Sequence, residues 1–307
     1  MQTAEELVLR FGIFYFLILV GYAFGRMSSH APSVNKSLTS LLLNLFLPLL
    51  VLQSLLTASA QTMSEVPAVA MLAVLAHLLG LLIAWVVFRT PPLEKRAKGA
   101  LMLSVAFSNA IFLPVPLVLI FIGPEGIPAV TFFTVTQLCI LAFVGPVVGS
   151  VYGGKPDWRF AVKKTLLFPP LLAVFAALAL AALGVVLPSV VQSVLSVNGT
   201  VTTYLALFEV GIGVGHRFSL FDIRNALEAV AIRQLILPAI IIVIVVFLGL
   251  SEITTKVMIL EALMPSAVTV VIYAAGLGLD SELAATVVTL GTFLLLPVIP
   301  LLPILLA

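Results

Sequence analysis

From residue 7 to residue 306 the chain is a succession of apolar runs, each close to the twenty or so residues that a helix needs to cross the hydrocarbon core of a bilayer. Short polar links separate them. Backbone groups in lipid have no water to bond, so such runs are read as spanning helices. Composition agrees: with 62% hydrophobic and 9% charged residues and a mean hydropathy of +1.27, the chain cannot present an ordinary soluble surface. Its 307 residues leave room for roughly ten spans and no long soluble domain. The lipid bilayer is its expected partner, and a nucleic-acid surface is not expected. The first run follows Glu5 and Glu6 instead of a basic region and lacks a small-residue cleavage site, so it reads as a retained helix and not a signal peptide.

The expected helices cover 7–25, 35–58, 65–88, 96–122, 127–150, 160–183, 200–215, 226–250, 253–276 and 281–306, with a short reentrant or surface helix at 188–197. Lys and Arg collect on the cytoplasmic side of membrane proteins. Thirteen of the fifteen fall in or beside the links after the first, third, fifth and seventh helices: Arg26, Lys36, Arg89, Lys95, Arg96, Lys98, Lys155, Arg159, Lys163, Lys164, Arg217, Arg224 and Arg233. Arg10 and Lys256 fall opposite. An even helix count with both termini facing away from the cytoplasm follows, in a cell (inner or plasma) membrane. The single cysteine, Cys139, has no partner for a disulfide within the chain and reads as buried packing.

The fourth helix is interrupted by Ser108-Asn109-Ala110-Ile111-Phe112-Leu113-Pro114-Val115-Pro116. Prolines remove helical hydrogen bonds, and freed backbone is tolerated in a membrane only where protein or a watery cavity satisfies it. From Arg96 to the break is about 18 Å of helix at 1.5 Å per residue, which ends near the midplane of a core of about 30 Å. An offset of 157 residues sets this break on Pro265-Ser266, Glu125 on Glu282 and Pro146 on Pro303. Direct identity at that offset is low, but both halves interrupt their fourth helix at the same place. The expected architecture is therefore all-α: ten helices as a 5+5 inverted repeat, residues 1–150 and 151–307, with helices four and nine broken and crossing.

Loose carbonyls and the partly positive N-termini of half-helices at such a crossing can hold an anion without a full positive charge. The residues expected to bind substrate are Ser108, Asn109, Pro114, Pro265 and Ser266, with Gln137 and Gln53 as further uncharged contacts. Asn109 offers both donor and acceptor. Glu261, one turn before Pro265, and Glu209 are the deepest acids and candidates for proton coupling, weighed against neutral acids bonded between helices. His77 reads as a packing histidine. Gly211, Gly213 and Gly215 permit close helix approach, either at a dimer contact or within one subunit. Asn198-Gly199-Thr200 matches a glycosylation sequon of low specificity. No metal-ligand spacing, cofactor motif, Gly-x-Ser-x-Gly, His-Glu-x-x-His or intramembrane aspartate pair is present, so neither a metal centre, nor a cofactor, nor an enzyme is expected.

Several motifs in order resemble the auxin efflux carrier family. They are Gly21-Tyr22-Ala23-Phe24-Gly25-Arg26, Asn44-Leu45-Phe46-Leu47-Pro48 with Gln53-Ser54-Leu55, Ser108-Asn109 followed by Pro116-Leu117, and Phe168-Pro169-Pro170. Leu207-Phe208 with Gly211, Met264-Pro265-Ser266-Ala267-Val268, and Gly278-Leu279-Asp280-Ser281-Glu282-Leu283-Ala284-Ala285 complete the set. The resemblance covers nearly the whole chain. It implies a scaffold of helices one, two, six and seven, a mobile transport unit from helices three to five and eight to ten, elevator-type movement of a small organic anion, and a homodimer joined through the scaffold. A sodium- or proton-coupled symporter or antiporter on the same fold is the alternative. Where many relatives have a small glycine-containing turn after Ser108-Asn109, this chain has Ala110-Ile111-Phe112 and Pro114, so substrate preference does not carry over. The long loop of the large plant carriers is missing.

Overall fold

Helices are the expected product of backbone that must satisfy itself in lipid, and every regular element of the computed structural model, among the residues it describes (4–154, 157–185, 187–217 and 222–306), is helical. In chain order they are α1 (Ala4–Met27), α2 (Ala31–Leu41), a π turn (Leu42–Phe46), α3 (Leu47–Leu56), α4 (Ala60–Ser64), α5 (Val66–Phe88), α6 (Lys95–Ala106) and α7 (Pro114–Phe121). A 3-10 turn (Pro124–Gly126), α8 (Ile127–Val148), a π turn (Gly149–Gly153), α9 (Trp158–Leu166), α10 (Pro169–Ala182) and α11 (Ser189–Arg217) follow. The chain closes with α12 (Ile223–Ala231), a π turn (Ile232–Ile236), α13 (Leu237–Phe247), α14 (Glu252–Leu263), α15 (Val268–Gly276), α16 (Ser281–Leu295), a 3-10 turn (Leu296–Leu301) and α17 (Leu302–Leu305). Among the described residues seven helices are long and apolar enough to cross a membrane, or eight if α9 and α10 form one bent span.

Two of the π turns have a local cause. Pro48 and Pro238 each stand two residues after the end of one. A proline has no N–H and crowds the carbonyl four residues earlier, here Asn44 and Gln234, and the wide turn relieves that clash without ending the helix.

Several expectations are corrected. The short helix at 188–197 and the seventh helix are one continuous α11; across the join the hydroxyls of Thr202 and Thr203 find partners within the helix, the carbonyls of Asn198 and Gly199. The helix expected over 160–183 divides at Leu167-Phe168, just before Pro169-Pro170, since a residue preceding proline avoids helical geometry. Cys139 is exposed on α8 and not buried. Arg233 belongs to no link between helices: it is 2% exposed within the span Ile223–Phe247. Twelve basic residues then remain on the expected cytoplasmic side. Of these, Lys155 lies outside the described residues.

By its contacts the chain divides into two compact units. The first comprises Met1–Ser59, Phe112–Pro128 and Phe168–Arg217. Its main seam joins α1 to α11. A side chain at Gly21 would meet the backbone of Phe208 and Gly211, and one at Gly215 would meet Tyr22 O and Gly25 Cα. Small residues here let the two backbones touch. Gly211 and Gly215 are thus spent inside the subunit, while Gly213 faces open space. Asn198 donates to Phe46 O at 3.0 Å and is buried, which removes it as a glycosylation acceptor.

The second unit comprises Ala60–Ile111, Ala129–Leu167 and Phe218–Ala307. One buried cluster gathers Leu103, Phe107, Leu141, Val270, Tyr273 and Leu277 around α6, α8 and α15. Another joins Phe88, Leu101, Val105, Ala229, Ile232 and Val287. Glu65, just before α5, caps α14 from outside: its carboxylate accepts from Ser251 N and Ser251 Oγ, each at 2.7 Å, and from Thr254 Oγ1.

Candidate crossing of two interrupted helices

The interruption after α6 and the one between α14 and α15 meet within the second unit. Phe107 takes an extended backbone, as do Met264 and Ala267, and the two stretches run antiparallel with Ser108 opposite Ser266. Asn109 N donates to Pro265 O at 2.7 Å, and Ala267 N donates to Phe107 O at 2.9 Å. Groups that the breaks remove from helical pairing thereby satisfy one another, as buried backbone requires.

Side chains complete the accounting. Ser266 Oγ donates to Ser104 O at 2.6 Å, near the end of α6. From α8, Gln137 binds Ser108 on both sides: its Oε1 accepts from Ser108 N and Ser108 Oγ, each at 3.0 Å, and its Nε2 donates to Ser108 O at 2.9 Å. Those two backbone partners fix which end of the amide faces which way. His77 Nε2 lies 2.7 Å from the same Oε1, with its Nδ1 against Ala73 O. Its ring is packed between Phe107 and Phe133. Thr134 Oγ1 donates to Ala110 O at 2.7 Å.

Across the crossing, Arg233 approaches the end of α14. Its Nε donates to Met264 O at 3.0 Å, and its Nη2 to Ala262 O and Glu261 O at 3.3 and 3.4 Å. Glu261 is 0% exposed, and neither carboxylate oxygen has a hydrogen-bond partner among the described residues. The N-terminus of α15 begins at Ala267 with no side-chain cap.

Of the residues expected at a site, the structure thus brings Ser108, Asn109, Gln137, Pro265 and Ser266 together, with Glu261 one turn away. Gln53, Pro114 and Glu209 belong to the first unit. There Gln53 lines a cavity of about 440 Å³ with Arg10, Leu50, Thr200, Thr203 and Tyr204. Arg10 Nη1 donates to Ile120 O at its wall. Pro114 is buried at the first turn of α7. Glu209 Oε1 accepts from Thr39 Oγ1 at 2.7 Å, which ties α11 to α2.

Three residues of the crossing were not singled out from sequence: Arg233, Thr134, and His77 beyond its packing. Arg233 carried a usable signal. Ten residues separate it from Ile223, about 15 Å of helix, which is midplane depth and not a link.

These features define a class, a polytopic helical membrane protein in which two interrupted helices from opposite halves of the chain are joined inside one unit. The sequence comparisons narrow it. The chain belongs to the membrane transport protein family, the group resembling auxin efflux carriers, whose profile matches residues 12–147 and 158–303. The resemblance read from its motifs is borne out. The chain is similar to an uncharacterized transporter of Methanothermobacter thermautotrophicus, 24% identical over 292 residues, covering 93% of each chain. It is also similar to an uncharacterized transporter of Methanocaldococcus jannaschii, 25% identical over 297 residues, covering 93% of this chain and 94% of the relative.

Proposed function

We propose that this protein is a secondary carrier of a small organic anion, an auxin-like weak acid or other carboxylate, held where its two interrupted helices cross. The observation that supports this reading most is the backbone pairing of Ser108-Asn109 with Pro265-Ser266. Residues from opposite halves of the chain meet there backbone to backbone. A chain that only kinked its helices at prolines would have no need to pair the kinks.

Counting α6 with α7 and α14 with α15 as broken spans, beside the bent pair and the seven unbroken helices, gives ten spans in two halves of five. In that arrangement the halves are inverted repeats, and both termini face away from the cytoplasm of a cell membrane. The uncapped start of α15 supplies partly positive N–H groups to a carboxylate, and Asn109 supplies an amide. Movement is of the elevator type, with the unit that holds the crossing carrying substrate and two copies joined through their scaffold helices. Glu261 favours one variation, coupling to protons, since a buried carboxyl without hydrogen-bond partners is a group a proton can enter and leave.

A thermal-shift screen of mono- and dicarboxylates against the purified protein, followed by vesicle flux for any hit, tests the reading. A carboxylate that stabilises the protein and exchanges saturably across the membrane is expected. Stabilisation and exchange by organic cations alone would overturn it.

A further inference from the structure

Arg233 is out of keeping with its surroundings. It lies within the candidate membrane span Ile223–Phe247, on the π turn that precedes Pro238, with 2% of its surface exposed. A cation buried there must be bonded closely to something. Among the described residues its bonds go to backbone: Met264 O, Ala262 O and Glu261 O. The ion pairs there are Arg224 with Glu228 and Lys256 with Glu252, so no carboxylate lies within pairing distance of its guanidinium. Glu261, whose main-chain carbonyl is one of the three, is its acidic neighbour.

Those three carbonyls have a particular character. They are the C-terminal end of a half-helix, where the peptide dipoles converge to a partial negative charge. In carriers with broken helices, such carbonyls and the unwound backbone beside them are what coordinate a mobile coupling ion. The corresponding end of α6 is finished with neutral donors, Ser266 Oγ on Ser104 O and Ala267 N on Phe107 O. Charge is therefore placed on one side of the crossing only. The space beside Arg233, lined by Leu72, Phe133, Met258 and Ala262, amounts to about 10 Å³, room for roughly one water molecule and not for a hydrated ion.

We infer that Arg233 is a tethered cation filling the carbonyl site at the end of α14 that a carrier of this build would otherwise offer to sodium. The crossing then holds its anion beside a fixed positive charge and needs no alkali ion to assemble. This rests on the carrier reading for its meaning, but the occupancy of the carbonyl site is testable without any substrate.

The test has two arms. Thermal unfolding of the wild type is followed in sodium, lithium, potassium and choline chloride at one ionic strength and pH. The same midpoint in all four is expected, and a rise specific to sodium or lithium overturns the inference. In the second arm Arg233→Ala is compared with Arg233→Lys. Arg233→Ala is expected to unfold at lower temperature and to lose at least tenfold in carboxylate exchange. Both should be partly restored by millimolar guanidinium but not by equal potassium, while Arg233→Lys keeps part of each. A folded Arg233→Ala protein with full exchange, or one indifferent to guanidinium, overturns the inference. If Arg233→Ala does not fold, the cation series on the wild type decides. If the wild type is indifferent to alkali ions and guanidinium restores the stability of Arg233→Ala, yet no carboxylate is moved by either, the tethered cation stands and the carrier reading fails.

Discussion

Replacing Gln137 by leucine isolates the contribution of the side chain that clamps the first interruption. The two residues are similar in volume, so the change removes polarity more than packing. Four hydrogen bonds disappear: three to Ser108 and one to His77. At about 0.6 kcal/mol each, the average for polar pairs between membrane helices, the loss is about 2 kcal/mol. If Ser108 N–H and C=O stay buried without partners, the desolvation cost of about 1–3 kcal/mol per group raises the total toward about 5 kcal/mol. Thr136→Ala, whose hydroxyl bonds Phe132 O on the same helix, serves as control and should stay within about 0.5 kcal/mol. Unfolding of both variants in mixed micelles by graded denaturing detergent gives the difference directly. A loss for Gln137→Leu below about 0.5 kcal/mol would refute the reasoning, because Ser108 would then be held without its clamp.

Other consequences can be measured as readily. Burial is the largest single influence on the Glu65 carboxyl and pushes it up, but the hydrogen bonds from Thr254 and Ser251 together outweigh it and hold the group below the usual carboxylate range. A depressed folded-state pKa contributes stability that is present above the unfolded value and lost as pH falls through the folded one. The wild type should therefore exceed Glu65→Gln by about 1 kcal/mol near neutrality, and melting curves of the two should converge as pH falls below the usual carboxylate range. Gly211→Leu forces a side chain into the backbone of Ile18 and Tyr22; a cost of about 3 kcal/mol or failure to fold is expected, against under about 0.5 kcal/mol for Gly213→Leu, which meets open space. In a Cys139→Ser background, cysteines at 108 and 266 occupy a non-hydrogen-bonded antiparallel pair about 4.5 Å apart at Cα, within reach of a disulfide. Oxidation should link them in one chain, seen as a thiol-reversible loss of alkylation at both.

What the sequence disclosed was tied to interruptions of a regular pattern. Ser108-Asn109 with Pro114 and Pro116, and Pro265-Ser266, are legible because polar residues and prolines stand out in apolar runs. Their correspondence at a fixed offset named the partner segment. The offset makes Ser108 the counterpart of Pro265 and Asn109 that of Ser266, while the backbone pairs Ser108 with Ser266 and Asn109 N with Pro265 O; equivalence between halves named the segments, and only the fold gives their pairing. Arg233 was misplaced because counting basic residues reports the nearer side of a membrane and not depth, and nearby Arg217 and Arg224 drew it into their link. Gly211 and Gly215 showed that some helix approaches closely but not which one. A small-residue stripe carries no address, and only the fold reveals α1 as its partner. Gln137 was recognisable as polar and buried, while its bond to Ser108, twenty-nine residues earlier, depends on how α8 returns past α6.

The central claim is that residues from the two halves form one anion site at the crossing. Its most direct test is exchange of a labelled carboxylate, chosen by the thermal-shift screen, in vesicles carrying the wild type, Asn109→Ala or Ser266→Ala. The account predicts saturable exchange by the wild type that falls at least tenfold in either variant while melting behaviour stays near that of the wild type. Undiminished exchange by both folded variants, or a loss confined to one half of the chain, would contradict it.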